Sequence, residues 1–117
     1  MKLDALICPV YPHSAFKHED EELAFQVNFL APWNVLDYPS GSVPVTEVKD
    51  GEDRPEDYND TWNDVLTTKF RNSIRGSVGM PIGVQVVTPK WKDEQCLAVM
   101  KLLGDAVNHN QLPPVAQ

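Results

Sequence analysis

Ser40, His13, His18, Cys8 and Cys96 are the side chains from which this chain would have to build a nucleophile, a base or a metal site. Ser40 lies in Pro39-Ser40-Gly41-Ser42 and lacks the flanking glycines that let a serine sit on a sharp strand-to-helix elbow, so it reads as a turn serine. His13 and His18 are five positions apart, a spacing that does not set two imidazoles on one helical face. With only Glu19 and Asp20 beside them, they argue against a metal site. Cys8 precedes Pro9 in an apolar run and Cys96 lies on the inner face of an amphipathic stretch, so both read as inert core thiols. No metal and no cofactor is expected from these residues.

The glycines of Gly76-Ser77-Val78-Gly79 suggest a phosphate loop, but the chain runs from them into a strand. Anion capture needs a helix N-terminus at that point, so that reading fails. Trp33, Trp62 and Trp91 read first as packing bulk. Gln85 is the unexpected residue of the strand that follows, Pro81-Ile82-Gly83-Val84-Gln85-Val86-Val87. A long amide inside a β-branched run must find partners, and it reads as a satisfied core amide.

The elements that would position these residues alternate. A strand over Asp4 to Val10 closes at the Tyr11-Pro12 turn. A helix opened by Asp20, Glu21 and Glu22 carries Leu23, Phe25, Val27, Phe29 and Leu30, with Pro32 kinking or ending it before Tyr38-Pro39. Ser40-Gly41-Ser42 is a turn, and Val43 to Val48 a second strand. A helix from about Pro55 or Asn59 to Ile74 gathers Tyr58, Trp62, Val65, Leu66 and Phe70 on one face. After the third strand, a helix from Asp93 to Val107 turns Cys96, Leu97, Val99, Met100, Leu103 and Val107 inward. Residues 108–117 read as a loose tail. The expectation is an α/β fold with a partial mixed or parallel sheet of about three strands alternating with three helices.

Composition limits the function classes. The chain has 117 residues and is 42% hydrophobic, enough for one modest core. Ten basic residues against 17 acidic ones give a net charge of -7, which excludes general nucleic-acid binding. Two cysteines outside any Cys-x-x-Cys pair make a reducing compartment the expectation. The N-terminal apolar run is too short to span a membrane. It enters an interior-type strand with no lead-in, as expected of a piece of something larger.

Two blocks carry a resemblance. Leu36-Asp37-Tyr38-Pro39-Ser40-Gly41-Ser42-Val43-Pro44-Val45 and Ser77-Val78-Gly79-Met80-Pro81-Ile82-Gly83-Val84-Gln85 resemble the C-terminal part of amidase signature enzymes, and of fatty-acid amide hydrolases in particular. Pro89-Lys90-Trp91-Lys92-Asp93-Glu94-Gln95-Cys96-Leu97 is similar to that family's last turn and helix, and Asp4-Ala5-Leu6-Ile7-Cys8-Pro9 to the strand that begins this region. The resemblance makes residues 1–107 the C-terminal part of an amidase signature domain.

That family hydrolyses amides with a Ser-Ser-Lys triad in a Gly/Ser-rich core and an oxyanion hole of backbone amides. None of that core is in these residues, which implies a chain inactive alone. The resemblance places Val27, Ala31 and Trp62 at positions lining the fatty-acyl channel and its neighbouring cavity, with Ala31 smaller than the aliphatic residue of the family pattern. It implies two partners, a fatty-acyl amide substrate and the remainder of an amidase chain, in an intracellular enzyme that is cytoplasmic or membrane-associated. Membrane attachment would run through segments outside this chain. The rival expectation is a small α/β interaction module derived from an amidase tail. A third is a metal or thiol enzyme using His13, His18 or Cys8.

Overall fold

The β-branched run through Ile82, Val84, Val86 and Val87 becomes the central strand of a three-stranded sheet. The structure, a computed structural model, describes residues 3–16, 27–52, 54–58, 61–62 and 64–109. Its strands are β1 (Leu6–Pro9), β2 (Ser40–Glu47) and β3 (Pro81–Val87), in the order β1-β3-β2. Its helices are α1 (Ala31–Leu36), α2 (Val65–Ser73) and α3 (Asp93–Val107). Short 3-10 turns lie at Val27–Phe29 and Pro55–Asp57.

Both ladders are antiparallel, where the alternation of strand and helix predicts parallel or mixed pairing. The physical reason lies in the strand order. β1 and β2 run the same way and are joined through α1, as a β-α-β unit requires, but they leave a gap that β3 fills in the opposite direction. This is a split β-α-β arrangement. In register, Cys8 and Ser42 flank Gln85, while Pro9 and Val43 flank Val84.

Ser40-Gly41-Ser42, expected as a turn, belongs to β2 and pairs with Val87, Val86 and Gln85. Gly41 lets α3 come close: a Cβ there would lie 2.5 Å from the Met100 sulfur, so the end of that flexible side chain would have to swing aside. Pro44 has no N–H to give and is accommodated because β2 is an edge strand. The register slips just beyond it, between Pro44 and Thr46.

Successive side chains of β3 point to opposite faces. Val86 joins Val43 and Cys96 in the core, with Ala5, Val99, Met100 and Leu103 packed around them. α3 therefore covers one face. Asp93 and Glu94 stand in its first turn, as expected, and Asn108 closes it in a left-handed conformation. Of the residues expected to turn inward, Leu97 is instead 65% exposed and Val107 is also exposed. The other face is covered in part by α1 and by the segment after β1.

Pro32 does not end a helix. It occupies the first turn of α1, where a missing N–H is no loss. Residues 17–26, which include most of the helix expected before it, lie outside the described residues, as do residues 110–117 of the expected tail. α2 is shorter than expected and begins behind Asp64, whose carboxylate accepts the Thr67 N–H at 2.8 Å. Its expected inner stripe is open to solvent at Val65 and Leu66, while Phe70 is half-buried.

Candidate functional site

Residues 27–38 cross the sheet face opposite α3. Leu30 N–H bonds the Val27 carbonyl, closing the 3-10 turn. Pro32 then has no N–H to offer, and the Trp33 and Asn34 amides both turn to the Leu30 carbonyl. The helical ladder restarts at Leu30, and the Phe29 carbonyl is taken instead by the side chain of Gln85 from β3. Gln85 Nε2 donates to Phe29 and to Pro9 at 2.8 Å each. The residue is 2% exposed, so it is the satisfied core amide expected on its donor side, while its Oε1 is buried without a hydrogen-bond partner among the described residues.

α1 faces two ways. Trp33 turns toward the sheet, where with Leu3, Leu6, Tyr38, Val87 and Pro89 it lines an apolar cleft of 180 Å³. Ala31 and Val35, one turn apart, share the opposite side. With Asn28, Pro32 and Leu36 they line an open cleft of 460 Å³. Val35 is 84% exposed.

Val27 and Ala31 are therefore consecutive parts of one surface segment, Val27 opening the 3-10 turn and Ala31 opening α1. Val27 is 48% exposed. Trp62 lies elsewhere, in the bend before α2, and is 85% exposed. Of the three expected wall residues only Ala31 lines the open cleft, which includes neither Trp62 nor Val27.

A third cleft, of 320 Å³, opens beside β3 at Gly83, with Tyr11, His13, Phe16 and Pro44 among its walls. His13 stacks edge-on against Tyr11, Phe16 and Phe70 at centroid distances of 4.8, 5.9 and 4.7 Å. Its Nδ1 donates to the Ser14 carbonyl at 2.6 Å. Burial pushes the Tyr11 phenol above its ordinary range. This is the packing of a half-buried histidine held in an aromatic cluster. His18 lies outside the described residues, and among those described no three His, Cys, Asp or Glu side chains are grouped to hold a metal.

The glycine turn is likewise structural. The Ser77, Gly79 and Met80 amides are committed to the carbonyls of Ile74, Val48 and Ser77, so they present no cradle to an anion. Cys96 is buried, with Sγ 3.5 Å from the Val86 carbonyl, and Cys8 is half-buried in β1.

The amidase family model matches residues 1–97. The chain belongs to the amidase family. This amidase chain is 35% identical to fatty acid amide hydrolase 1 of Caenorhabditis elegans over 108 residues, 90% of its own length and 18% of the relative's. It is 29% identical to fatty-acid amide hydrolase 1 of Sus scrofa over 102 residues, 86% of the chain and 18% of the relative. An amidase of Gibberella moniliformis is 30% identical over 106 residues, covering 90% of the chain and 17% of the relative. The chain thus spans under a fifth of the length of these relatives.

In the amidase chain, the block Gly79-Met80-Pro81-Ile82-Gly83-Val84-Gln85 is the turn and first part of β3. Reading residues by type did not single out Asn28, Pro32, Val35 and Leu36 as companions of Ala31. The signal was present in the four-residue spacing of Ala31 and Val35 and in Pro32, which starts a helix as readily as it stops one.

Proposed function

We propose that this chain is the closing section of a fatty-acid amide hydrolase-type amidase, supplying scaffold and part of an acyl-binding wall through Val27, Ala31 and Trp62. The reaction it serves is hydrolysis of a fatty-acid amide by water to the fatty acid and an amine or ammonia. Its nucleophile, lysine base and oxyanion donors belong to sequence outside these residues. The observation that carries the reading is the open apolar cleft at Ala31, Pro32, Val35 and Leu36, on a chain whose relatives include fatty-acid amide hydrolases. An acyl chain laid along such a wall gains about 0.8 kcal/mol for each methylene removed from water.

The chain alone therefore binds acyl chains weakly and does not cleave them. Purified 117-residue chain should release no fatty acid from oleamide above the buffer rate, measured by mass spectrometry. A dansyl-labelled long-chain amide should bind it, and Ala31→Asp should weaken that binding roughly tenfold, the loss of about two buried methylenes. Hydrolysis by chain free of host hydrolases would overturn the first statement. Binding that survives both Ala31→Asp and Val27→Asp would overturn the second and favour the small interaction module.

A further inference from the structure

We infer that Gln85 is a positioning residue for the acyl-binding wall, holding the joint between the Val27–Phe29 turn and α1 against the sheet. The inference rests on the acyl-wall reading for its functional meaning and on hydrogen-bond geometry for its structural content. Pro32 is the origin of the joint. Lacking an N–H, it interrupts the ladder, and the Trp33 amide bonds Leu30 rather than the Phe29 carbonyl one turn back. A half-buried carbonyl left unpaired would be costly, and no backbone donor of α1 takes it. Gln85 Nε2 reaches it from the central strand at 2.8 Å.

The second bond of the same nitrogen gives the contact its geometric meaning. Nε2 also donates to Pro9, the last residue of β1, at 2.8 Å. One NH2 group with two fixed donor directions thus ties three segments, β1, β3 and the turn before α1, at separations of 76 and 56 residues along the chain. Gln85 is buried in the middle of a strand paired on both sides, so its own position is set by the sheet. Val27 lies two residues before Phe29 and Ala31 two after it. The angle between the two parts of the wall is set where Gln85 holds it.

The test uses the full 117-residue chain with amide hydrogen exchange, read as protection factors, alongside binding of the dansyl-labelled long-chain amide. Gln85→Met keeps the volume and removes the donor. Protection of residues 30–36 should fall roughly five- to tenfold, the equivalent of about one hydrogen bond, while β2, β3 and α3 change less. Gln85→Glu adds a signature that packing alone does not produce. Ionised, it places a carboxylate against two carbonyls, and protection of 30–36 should be lost. On acidification the protonated acid regains one donor, and protection should recover.

Unchanged protection at 30–36 would overturn the assignment. So would an equal fall in 30–36, 84–87 and 96–103, which would make Gln85 a general core residue. Dansyl-amide affinity should fall with the local protection in both variants. If the unsubstituted chain binds no dansyl amide while 30–36 still loosens selectively, the acyl reading fails and the joint stands.

Discussion

Gly79 stands at φ +81° with no heavy atom within 4 Å of the place a Cβ would occupy, so its need for glycine is conformational and not steric. Left-handed backbone costs an L-residue roughly 1–2 kcal/mol, offset in part by the smaller entropy of the unfolded chain. Gly79→Ala should therefore lower stability by about 1 kcal/mol in chemical denaturation. Gly41 makes the opposite demand, since what an added methyl would meet is the Met100 sulfur and terminal methyl. Gly79 was legible in the sequence because a glycine two positions before a proline, at the mouth of a β-branched run, has few other uses. Gln85 was legible as a buried amide but not as a joint. Its partners are carbonyls, which every residue has, so no residue type announces them.

At the scale of elements, the boundaries found most directly are those set by local chemistry. α3 begins at Asp93 and ends at Val107 because two acidic residues favour its first turn and Asn108 accepts the left-handed conformation that stops it. Antiparallel pairing was not legible, because the entry of β3 between β1 and β2 is a choice among topologies. The exposure of Val65 and Leu66 was hidden too, since apolar spacing names a face without naming what covers it.

α2 offers a pH prediction from its cap. The Thr67 backbone hydrogen bond holds the Asp64 carboxyl below its ordinary range. A carboxylate depressed in the folded state adds stability above its unfolded value and loses it as pH falls through the folded one. Protection of the Thr67 and Thr68 amides should thus decline on acidification. Asp64→Asn, which keeps an acceptor oxygen without the charge, should flatten that dependence, whereas Asp64→Ala should lower protection at every pH. Equal acid sensitivity in Asp64→Asn would place the titrating group elsewhere.

At the scale of the whole molecule, what matters is which apolar side chains of the described residues lie inside and which outside. The buried apolar residues among those described are Val43, Val48, Ile74, Val86, Val87 and Cys96, all of modest size. Among the described residues, many larger apolar side chains are outside, while Phe29, Trp33, Phe70, Met100 and Leu103 are half-buried. Leu6 and Ile7 on β1, Trp62 and Leu66 around α2, and Leu97 and Leu102 on α3 are all exposed. Exposed apolar side chains on three elements favour association, and the net charge of -7 opposes it. Which wins depends on screening, since the Debye length falls to about 10 Å at 0.1 M salt. The chain should sediment as a monomer in dilute buffer and shift to larger species as sodium chloride is raised, with sulfate acting more strongly because it also strengthens apolar burial. Leu97→Glu should move that transition to higher salt by adding charge and removing apolar area at once. Velocity sedimentation with a parallel dye-binding titration reads both effects. A salt-independent monomer that leaves the dye in water would mean that these faces cover one another in solution.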